Sequence, residues 1–412
     1  VGLVVGQDVG HLFSMLPLGI AGLISWAIWF YRRTLSHRAP AIWSDYRATS
    51  SLVVPSYRED AGILSECLDT WLAEEPDEII LVVDVDDLDV LAMLSARNLP
   101  NHVRVIPFKH RGKRSALGVG IRAARHDLVV LADSDTAWTD GLLTNLQMPF
   151  EDPWVAGVGT RQIVAARETS VWRRVASWMV DVRFLDYVPA MGARGSVPCL
   201  SGRTAAYRRS VITPLLPQLE HEIFLGRECV AGDDGRLTWL VLSEGYRTTY
   251  QRSAVAVSMF PDNLRAFTKQ RVRWSRNSYR CYLTAIAKGW LWHQPFVTQL
   301  TVLQILLTPV TMGLAMAFLL LAFGSGHPSM VAALLLWLVI GRGIRGLSHL
   351  REQPRDISIL LIVTLVTIVI ALPVKTWAML TMNRQGWLTR HAEQTGGEGQ
   401  DSQSLGTHGV LA

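Results

Sequence analysis

Pro295–Phe323 runs for 29 residues without a charge. About 20 apolar residues carry a helix across a bilayer, so this stretch excludes an ordinary soluble chain. A second charge-free run, Leu12–Tyr31, counts 20 residues; Arg32, Arg33 and Arg38 follow it, and residues 1–11 hold no Lys or Arg. The positive-inside rule then sets the N-terminus outside and residue 32 onward in the cytosol. A cleaved signal peptide fits poorly, because the run is long, lacks a basic leader and is followed by arginines. Two shorter apolar stretches, Ser329–Gly341 and Ile357–Leu372, come after the 29-residue run.

The chain is 49% apolar and 18% charged, and the apolar surplus sits at its two ends. Residues 49–260 read instead as a soluble domain. Net charge is +5, with pI about 9.1. The basic residues cluster beside apolar spans, where cytoplasmic flanks are basic, so the charge points to a lipid bilayer and not to nucleic acid. The four cysteines, Cys67, Cys199, Cys229 and Cys281, are scattered without a C-x-x-C pair. That spacing suggests neither a zinc site nor a disulfide framework.

From Ser51 short β-rich runs appear at Ser51–Pro55, Ile79–Asp84, His102–Ile106 and Leu128–Asp133. Segments of helical length, 61–74, 88–98 and 113–125, lie between them. Strands alternating with helices predict an open α/β sheet with a largely parallel core. Ligands of such sheets bind beyond the carboxyl ends of the strands. Residues 169–188 and 262–293 mix basic and aromatic residues in helical patterns, as expected of helices lying in a membrane interface. Arg342, Arg345 and His349 are spaced to share one helix face. They form either the basic cytoplasmic end of a helix or a cationic wall along a polar path.

The chemistry gathers at strand ends. Val129–Ala132 runs into Asp133-Ser134-Asp135, two carboxylates spaced i, i+2 and aimed at one spot. Such a pair can hold a hard divalent cation, which in turn can hold a diphosphate. Alone the pair is weak, since acids at strand ends are common in turns. Pro55-Ser56-Tyr57-Arg58-Glu59 offers a ring and acceptors suited to a base, and Asp84 stands at the next strand end. Lys113, in Lys109-His110-Arg111-Gly112-Lys113-Arg114, opens a helix where an anion would be favoured. Ser201-Gly202-Arg203 is a loop before a strand. Gly232-Asp233-Asp234 precedes a helix from Leu237 to Glu244; one aspartate can cap it and the other is left to act as a base. Gln270-x-x-Arg273-Trp274 lies in the basic aromatic helix, where Trp can stack on a sugar and Arg can meet a phosphate.

Together these motifs resemble the membrane-embedded, processive family-2 glycosyltransferases: hyaluronan, chitin and cellulose synthases and their relatives. The resemblance covers about residues 50–390. It closes with Pro373-Val-Lys375 and Trp387-Leu388-Thr389-Arg390, which looks like the Trp-Gly-Thr-Arg element of hyaluronan and chitin synthases with leucine in place of glycine. Gly-Asp-Asp and this ending favour the hyaluronan and chitin branch. Three departures stand out. The uracil segment is Asp84-Val-Asp86-Asp87, Arg203 replaces the proline of a Ser-Gly-Pro acceptor loop, and one span precedes the catalytic domain where hyaluronan synthases have two.

The resemblance implies a GT-A-type α/β domain inserted between transmembrane and interfacial helices. The expected divisions are 1–48 (N-terminal span and flank), 49–260 (cytosolic glycosyltransferase domain), 261–294 (interfacial helices), 295–390 (C-terminal spans and closing motif) and 391–412 (disordered tail). It implies a multi-pass plasma-membrane enzyme that polymerises sugars from UDP-sugars such as UDP-GlcNAc and UDP-GlcA, as hyaluronan synthases do, and extrudes the growing polysaccharide. A chitin-type or uronic-acid homopolymer, or one sugar moved to a lipid phosphate, are the alternatives; a transporter or sensor that merely binds nucleotide fits the acids less well. By residue, Asp234 is the expected base, with Asp233 the second choice. Pro55, Tyr57, Glu59, Asp84, Lys113, Asp133, Arg273 and Arg390 hold the nucleotide; Ser201, Gly202, Gln270, Trp274 and Trp387 hold the acceptor. Asp135 and Asp133 hold Mg²⁺ or Mn²⁺. Three full C-terminal spans would leave Trp387 outside, so 357–382 is expected to be re-entrant or interfacial and broken at Pro373.

Overall fold

The computed structural model describes residues 20–109, 111–324, 326 and 328–384. Within them eight strands form one mixed, mostly parallel sheet. The strands are β1 (Ser50–Ser56), β2 (Glu78–Asp84), β3 (Val103–Phe108), β4 (Leu128–Ala132), β5 (Thr136–Trp138), β6 (Val155–Val164), β7 (Thr204–Arg208) and, after a small hairpin β8 (Ile223–Phe224) and β9 (Arg227–Glu228), β10 (Arg247–Ser258). Their order is β3-β2-β1-β4-β7-β6-β10-β5. β3, β2, β1 and β4 run parallel, β7 is antiparallel to both β4 and β6, and β10 is parallel to β6.

The parallel half is buried on both faces, which is why its strands read as near-continuous Val/Ile/Leu runs. Val53, Ile80, Val82, Val129 and Leu131 pack to one side with Leu117 and Ile121. Leu52, Val54, Ile79, Leu81, Val83 and Val130 pack to the other with Leu64, Leu68 and Trp71. The covering helices begin where the sequence supplies an N-terminal signal. In α1 (Ala61–Ala73) Asp60 accepts from the Gly62 and Ile63 amides at 2.8 and 3.0 Å. After α2 (Leu88–Ala96), α3 (Lys113–Ala123) follows Gly112 at φ +100°. Gly120 of α3 lies so close to β1 that a Cβ there would stand 2.3 Å from Val53 Cγ1.

Two long amphipathic helices flank the sheet edge: α4 (Val171–Val182), which runs on through a π-helical turn Arg183–Tyr187, and α6 (Leu264–Ala287). Between them α5 (Asp233–Ser243) starts four residues earlier than its apolar pattern suggested, so both aspartates are helical. Among the described residues, three helical segments are long and apolar enough to cross a membrane: Phe296–Gly324, Pro328–Arg345 and Pro354–Leu380. Leu320, Phe323, Leu336, Leu361 and Val369 are exposed on them, as lipid-facing residues are.

Two expectations about this region are corrected. Pro354–Leu380 is not broken at Pro373. A π-helical turn at Val366–Ile370 precedes the proline, and helix continues from Ala371 to Leu380. Widening the turn relieves the clash between the proline ring and the carbonyl four residues back. Arg342, Arg345 and His349 do not share a helix face either. The helix ends at Arg345, and a second, Leu347–Glu352, starts after Gly346, whose Cβ position is filled by Trp178 at 2.3 Å. Arg345 donates to Ser25 Oγ at 2.7 Å. His349 is fully buried, its Nδ1 2.7 Å from Asp181 and its Nε2 2.8 Å from Asp356, with Trp178 stacked on it. The arginines after the first apolar run are also engaged: Arg33 pairs with Asp186 and Arg32 lies 4.2 Å over the Tyr187 ring. They belong to helix Ile20–His37; the start of the expected Leu12–Tyr31 span lies outside the described residues.

Candidate active site

The carboxyl ends of β1, β2 and β4 open onto a cavity of about 730 Å³, closed on its far side by α4, α5 and α6. Its walls bring together Pro55, Tyr57, Glu59, Asp84, Lys113, Asp133, Asp135, Ser201, Gly202, Asp233, Asp234, Gln270, Arg273 and Trp274. Residues separated by more than 200 positions in the chain thus face one volume. Trp387 and Arg390 lie outside the described residues.

Lys113 is the hub. Its Nζ donates to Asp133 Oδ1 at 2.6 Å and lies 3.1 Å from Asp233 Oδ2. Burial works against its charge, but Asp133 and Asp233 outweigh that and raise its pKa. Asp133 responds in the opposite sense: burial opposes ionisation, yet Lys113, Arg203 and Arg273 hold its carboxyl below the usual range. The basic run that opens α3 therefore divides. Lys113 faces the cavity, whereas Arg114 turns inward to Glu222 at 2.8 Å and to the carbonyls of Leu219, Ala231 and Gly232. His110 lies outside the described residues.

Asp234 has a different environment from its neighbour. Burial, then the adjacent Asp233 charge, push its carboxyl above the ordinary range. Oδ1 accepts from the Gly235 amide at 2.8 Å, and the Cys199 thiol lies 3.7 Å from Oδ2. Neither aspartate caps α5, because the cap position is Gly232 at φ +81°; its Cβ would stand 2.9 Å from Asn277 Cγ. Two adjacent carboxylates are thus split into one that is ion-paired and one that holds its proton more tightly. Such a split separates acid and base duties in an active site.

At the β1 and β2 ends the turns are locally tied. Asp84 accepts from the Asp86 amide at 2.9 Å, Asp87 accepts from the Glu59 amide at 3.2 Å, and Ser134 donates to Glu59. Arg58 lies 5.3 Å over the Tyr57 ring. Asp133 and Asp135 follow β4 and line the cavity from that edge. Among the described residues no group of three or more His, Cys, Asp or Glu is placed to hold a metal. Two carboxylates suit a cation that takes its other oxygens from phosphates and water, as Mg²⁺ does.

The far wall holds cations to which the sequence assigned no role. Arg203 donates to Gln162 at 3.3 Å and lies 4.0 Å over Phe260 and 5.2 Å over Trp274. Burial pulls its pKa down to about 10, against the pull of Asp135 and Asp133. Arg271 lies 5.1 Å over Trp274 on α6, and Arg183 reaches in from the π-helical turn after α4. Arg183 donates to the Cys199 carbonyl at 3.4 Å. Arg271 is three residues before Trp274 on α6, a spacing that puts the two side by side on a helix, so helical spacing could have found it; Arg183 has no such signal in the sequence. The four cysteines are free thiols, and burial raises the pKa of each of them, Cys281 to about 12.

Residues 48–277 match the family described as "Glycosyltransferase like family 2". The chain is 30% identical over 355 residues to an N-acetylglucosaminyltransferase of Azorhizobium caulinodans, an alignment spanning 83% of this chain and 87% of that one. Similar proteins under the same description occur in Rhizobium leguminosarum bv. viciae (29% identical, 87% and 86% covered) and Rhizobium meliloti (28%, 83% and 81%). Among solved structures, a mannosyltransferase from Pyrobaculum calidifontis in complex with GDP-Man and Mn²⁺ superposes with a TM-score of 0.58 at 20% identity, covering 89% of this chain and 97% of that one. The shared architecture is a GT-A-like α/β sheet followed by apolar helices.

Proposed function

The chain belongs to the family-2 glycosyltransferases, and from that membership we propose that it is a membrane N-acetylglucosaminyltransferase that moves GlcNAc from UDP-GlcNAc to an acceptor-sugar hydroxyl with inversion. The relatives named above favour this chitin-type reading over hyaluronan synthesis from UDP-GlcNAc and UDP-GlcA. Repeated addition to a growing chain, with the catalytic domain on the cytosolic side, is part of the proposal.

In this reading uracil rests against Tyr57, with Pro55, Glu59 and Asp84 shaping its pocket. Lys113 and Arg273 meet the diphosphate, and Arg390 joins them from the closing motif. Asp135 and Asp133 would hold Mg²⁺ or Mn²⁺, which would supply neutralising charge for the departing diphosphate. Trp274 stacks on the terminal acceptor sugar, with Gln270, Ser201, Gly202 and Trp387 around it. Asp234 takes the proton from the acceptor hydroxyl. That oxygen bonds to the anomeric carbon as the bond from that carbon to the UDP oxygen breaks, and UDP leaves with the electron pair. Lys113 keeps Asp233 ion-paired and out of the proton transfer.

The observation that carries the proposal is the contrast between the two aspartates: Asp233 is 3.1 Å from Lys113, and half-buried Asp234, beside the Cys199 thiol, has a raised pKa. The test is Asp234→Asn with UDP-GlcNAc and chito-oligosaccharides. Removing a general base costs about 10²–10⁴ in turnover, while UDP affinity should stay within twofold. Turnover like that of wild type would rule out Asp234 as the base.

A further inference from the structure

On α6, Gln270, Trp274, Asn277 and Cys281 form one stripe, and Arg271 and Arg273 lie on opposite flanks of it at about 100° per residue. Arg273 bears on Asp133, the diphosphate side. Arg271 lies on the other flank. Its guanidinium packs 4.9 Å over Phe267 and 5.1 Å over Trp274, and its buried Nε and Nη2 have no hydrogen-bond partner among the described residues. The charged groups that bear on it are Arg203 and Arg183; with burial first, they pull its pKa down to about 9. Lys375, from the last apolar helix, lies 5.8 Å over Tyr279 and has Arg271 and Arg183 as its charged neighbours.

Arg271 and Lys375 thus share Arg183 as a charged neighbour where the cavity meets the last apolar helix, and no carboxylate is among the charges bearing on either of them; Arg183 donates to the Cys199 carbonyl at 3.4 Å and has Asp234 among its charged neighbours. Uncompensated buried charge is costly, and a bound anion would remove that cost. A neutral GlcNAc acceptor brings none, and the donor's diphosphate is provided for on the opposite flank of Trp274.

We propose that Arg183, Arg271 and Lys375 form a second oxyanion subsite, and that it takes the phosphate of a lipid-linked acceptor whose sugar stacks on Trp274. Guanidinium pairs suit phosphate oxygens, and through Lys375 the subsite adjoins the last apolar segment, Pro354–Leu380. The inference rests on the glycosyl-transfer reading and narrows its acceptor.

The experiment uses the full chain in lipid vesicles with UDP-GlcNAc and Mn²⁺. Three acceptors are compared: chitobiose, soluble GlcNAc-1-phosphate, and GlcNAc linked through phosphate to a polyisoprenyl lipid. Wild type should favour the lipid-linked phosphate over chitobiose in kcat/KM by roughly 10- to 100-fold, the range of a charged hydrogen bond or two. Arg271→Gln should erase that ratio while UDP affinity holds, and Arg271→Lys should keep much of it. The ratio isolates the phosphate, because disturbing Trp274 affects both acceptors alike. Equal use of all three acceptors by wild type overturns the subsite. So does a parallel loss of UDP affinity in Arg271→Gln, which would give Arg271 to the donor. Soluble GlcNAc-1-phosphate equalling the lipid form supports the phosphate subsite and overturns the lipid source. Absence of GlcNAc transfer to any acceptor would sink the glycosyl-transfer reading instead. In that case direct binding of GlcNAc-1-phosphate decides: binding lost in Arg271→Gln supports the subsite, and equal or no binding overturns it.

Discussion

Replacing Lys113 with methionine removes a cation that ties two acids of the cavity together. Its Nζ stands 2.6 Å from Asp133 and 3.1 Å from Asp233, with side chains 14%, 31% and 11% exposed. Taking one partner from a buried pair costs about 3–5 kcal/mol. Asp133 keeps nearly a third of its side chain in water, so screening favours the lower end, about 3 kcal/mol. For a domain of this size each kcal/mol moves Tm by about 2–4 °C, giving a fall of about 6–12 °C at pH 7. The sign of the pH dependence follows from the shifts. Asp133 has a depressed folded pKa, so its contribution is present above its unfolded pKa and is lost as pH falls through the folded one. Lys113, with its raised pKa, stays charged throughout that window. The gap between wild type and variant should therefore be full at pH 7, still nearly full at the ordinary aspartate value of about 4, and narrow only on further acidification towards about pH 2. Tryptophan-fluorescence melting at the two ends of that range measures it. A drop under about 2 °C at pH 7, or the same drop at both, would refute the ion-pair account.

The remaining predictions are briefer. Asp233→Asn removes the second cause of the raised Asp234 pKa; since the base works deprotonated, the acid limb of kcat should move to lower pH, and an unmoved limb would separate Asp234 from the titration. Trp274→Ala should raise the acceptor KM by tenfold or more, as expected when about 1.4 kcal/mol or more of stacking is lost, and leave UDP affinity alone; calorimetry with UDP and Mn²⁺ checks the second half. Gly120→Ala drives a methyl to within 2.3 Å of Val53 and should cost about 1–3 kcal/mol by overpacking, read as a lower melting temperature with the chemistry intact. His349→Leu leaves Asp181 and Asp356 facing each other without the ring that bridges them; melting should fall, and it should recover when Asp181→Asn is added.

Local pattern in the chain was enough to place the main elements and to name residues that meet at the cavity. Strands buried on both faces must be apolar throughout, so β1, β2 and β4 stand out as short runs, and their carboxyl ends name Tyr57, Asp84, Asp133 and Asp135. A helix that crosses lipid needs an uninterrupted apolar run, so Phe296–Gly324 is visible in composition alone. Tertiary structure decided what depends on distance between remote segments. Lys113 joins Asp133 and Asp233, 20 and 120 residues away, and only that contact tells Asp233 from Asp234. Pro373 signals a break, but one wide turn upstream absorbs it. His349 reads as a helix-end base, yet two carboxylates from other elements bury it. Arg271 is an ordinary arginine of an amphipathic helix until folding sets it against Trp274, and Arg183 until folding brings it to the cavity wall. Periodicity reports which face of an element is buried; it carries no information on which charges of other elements will meet there, because electrostatic partners are chosen by position in space.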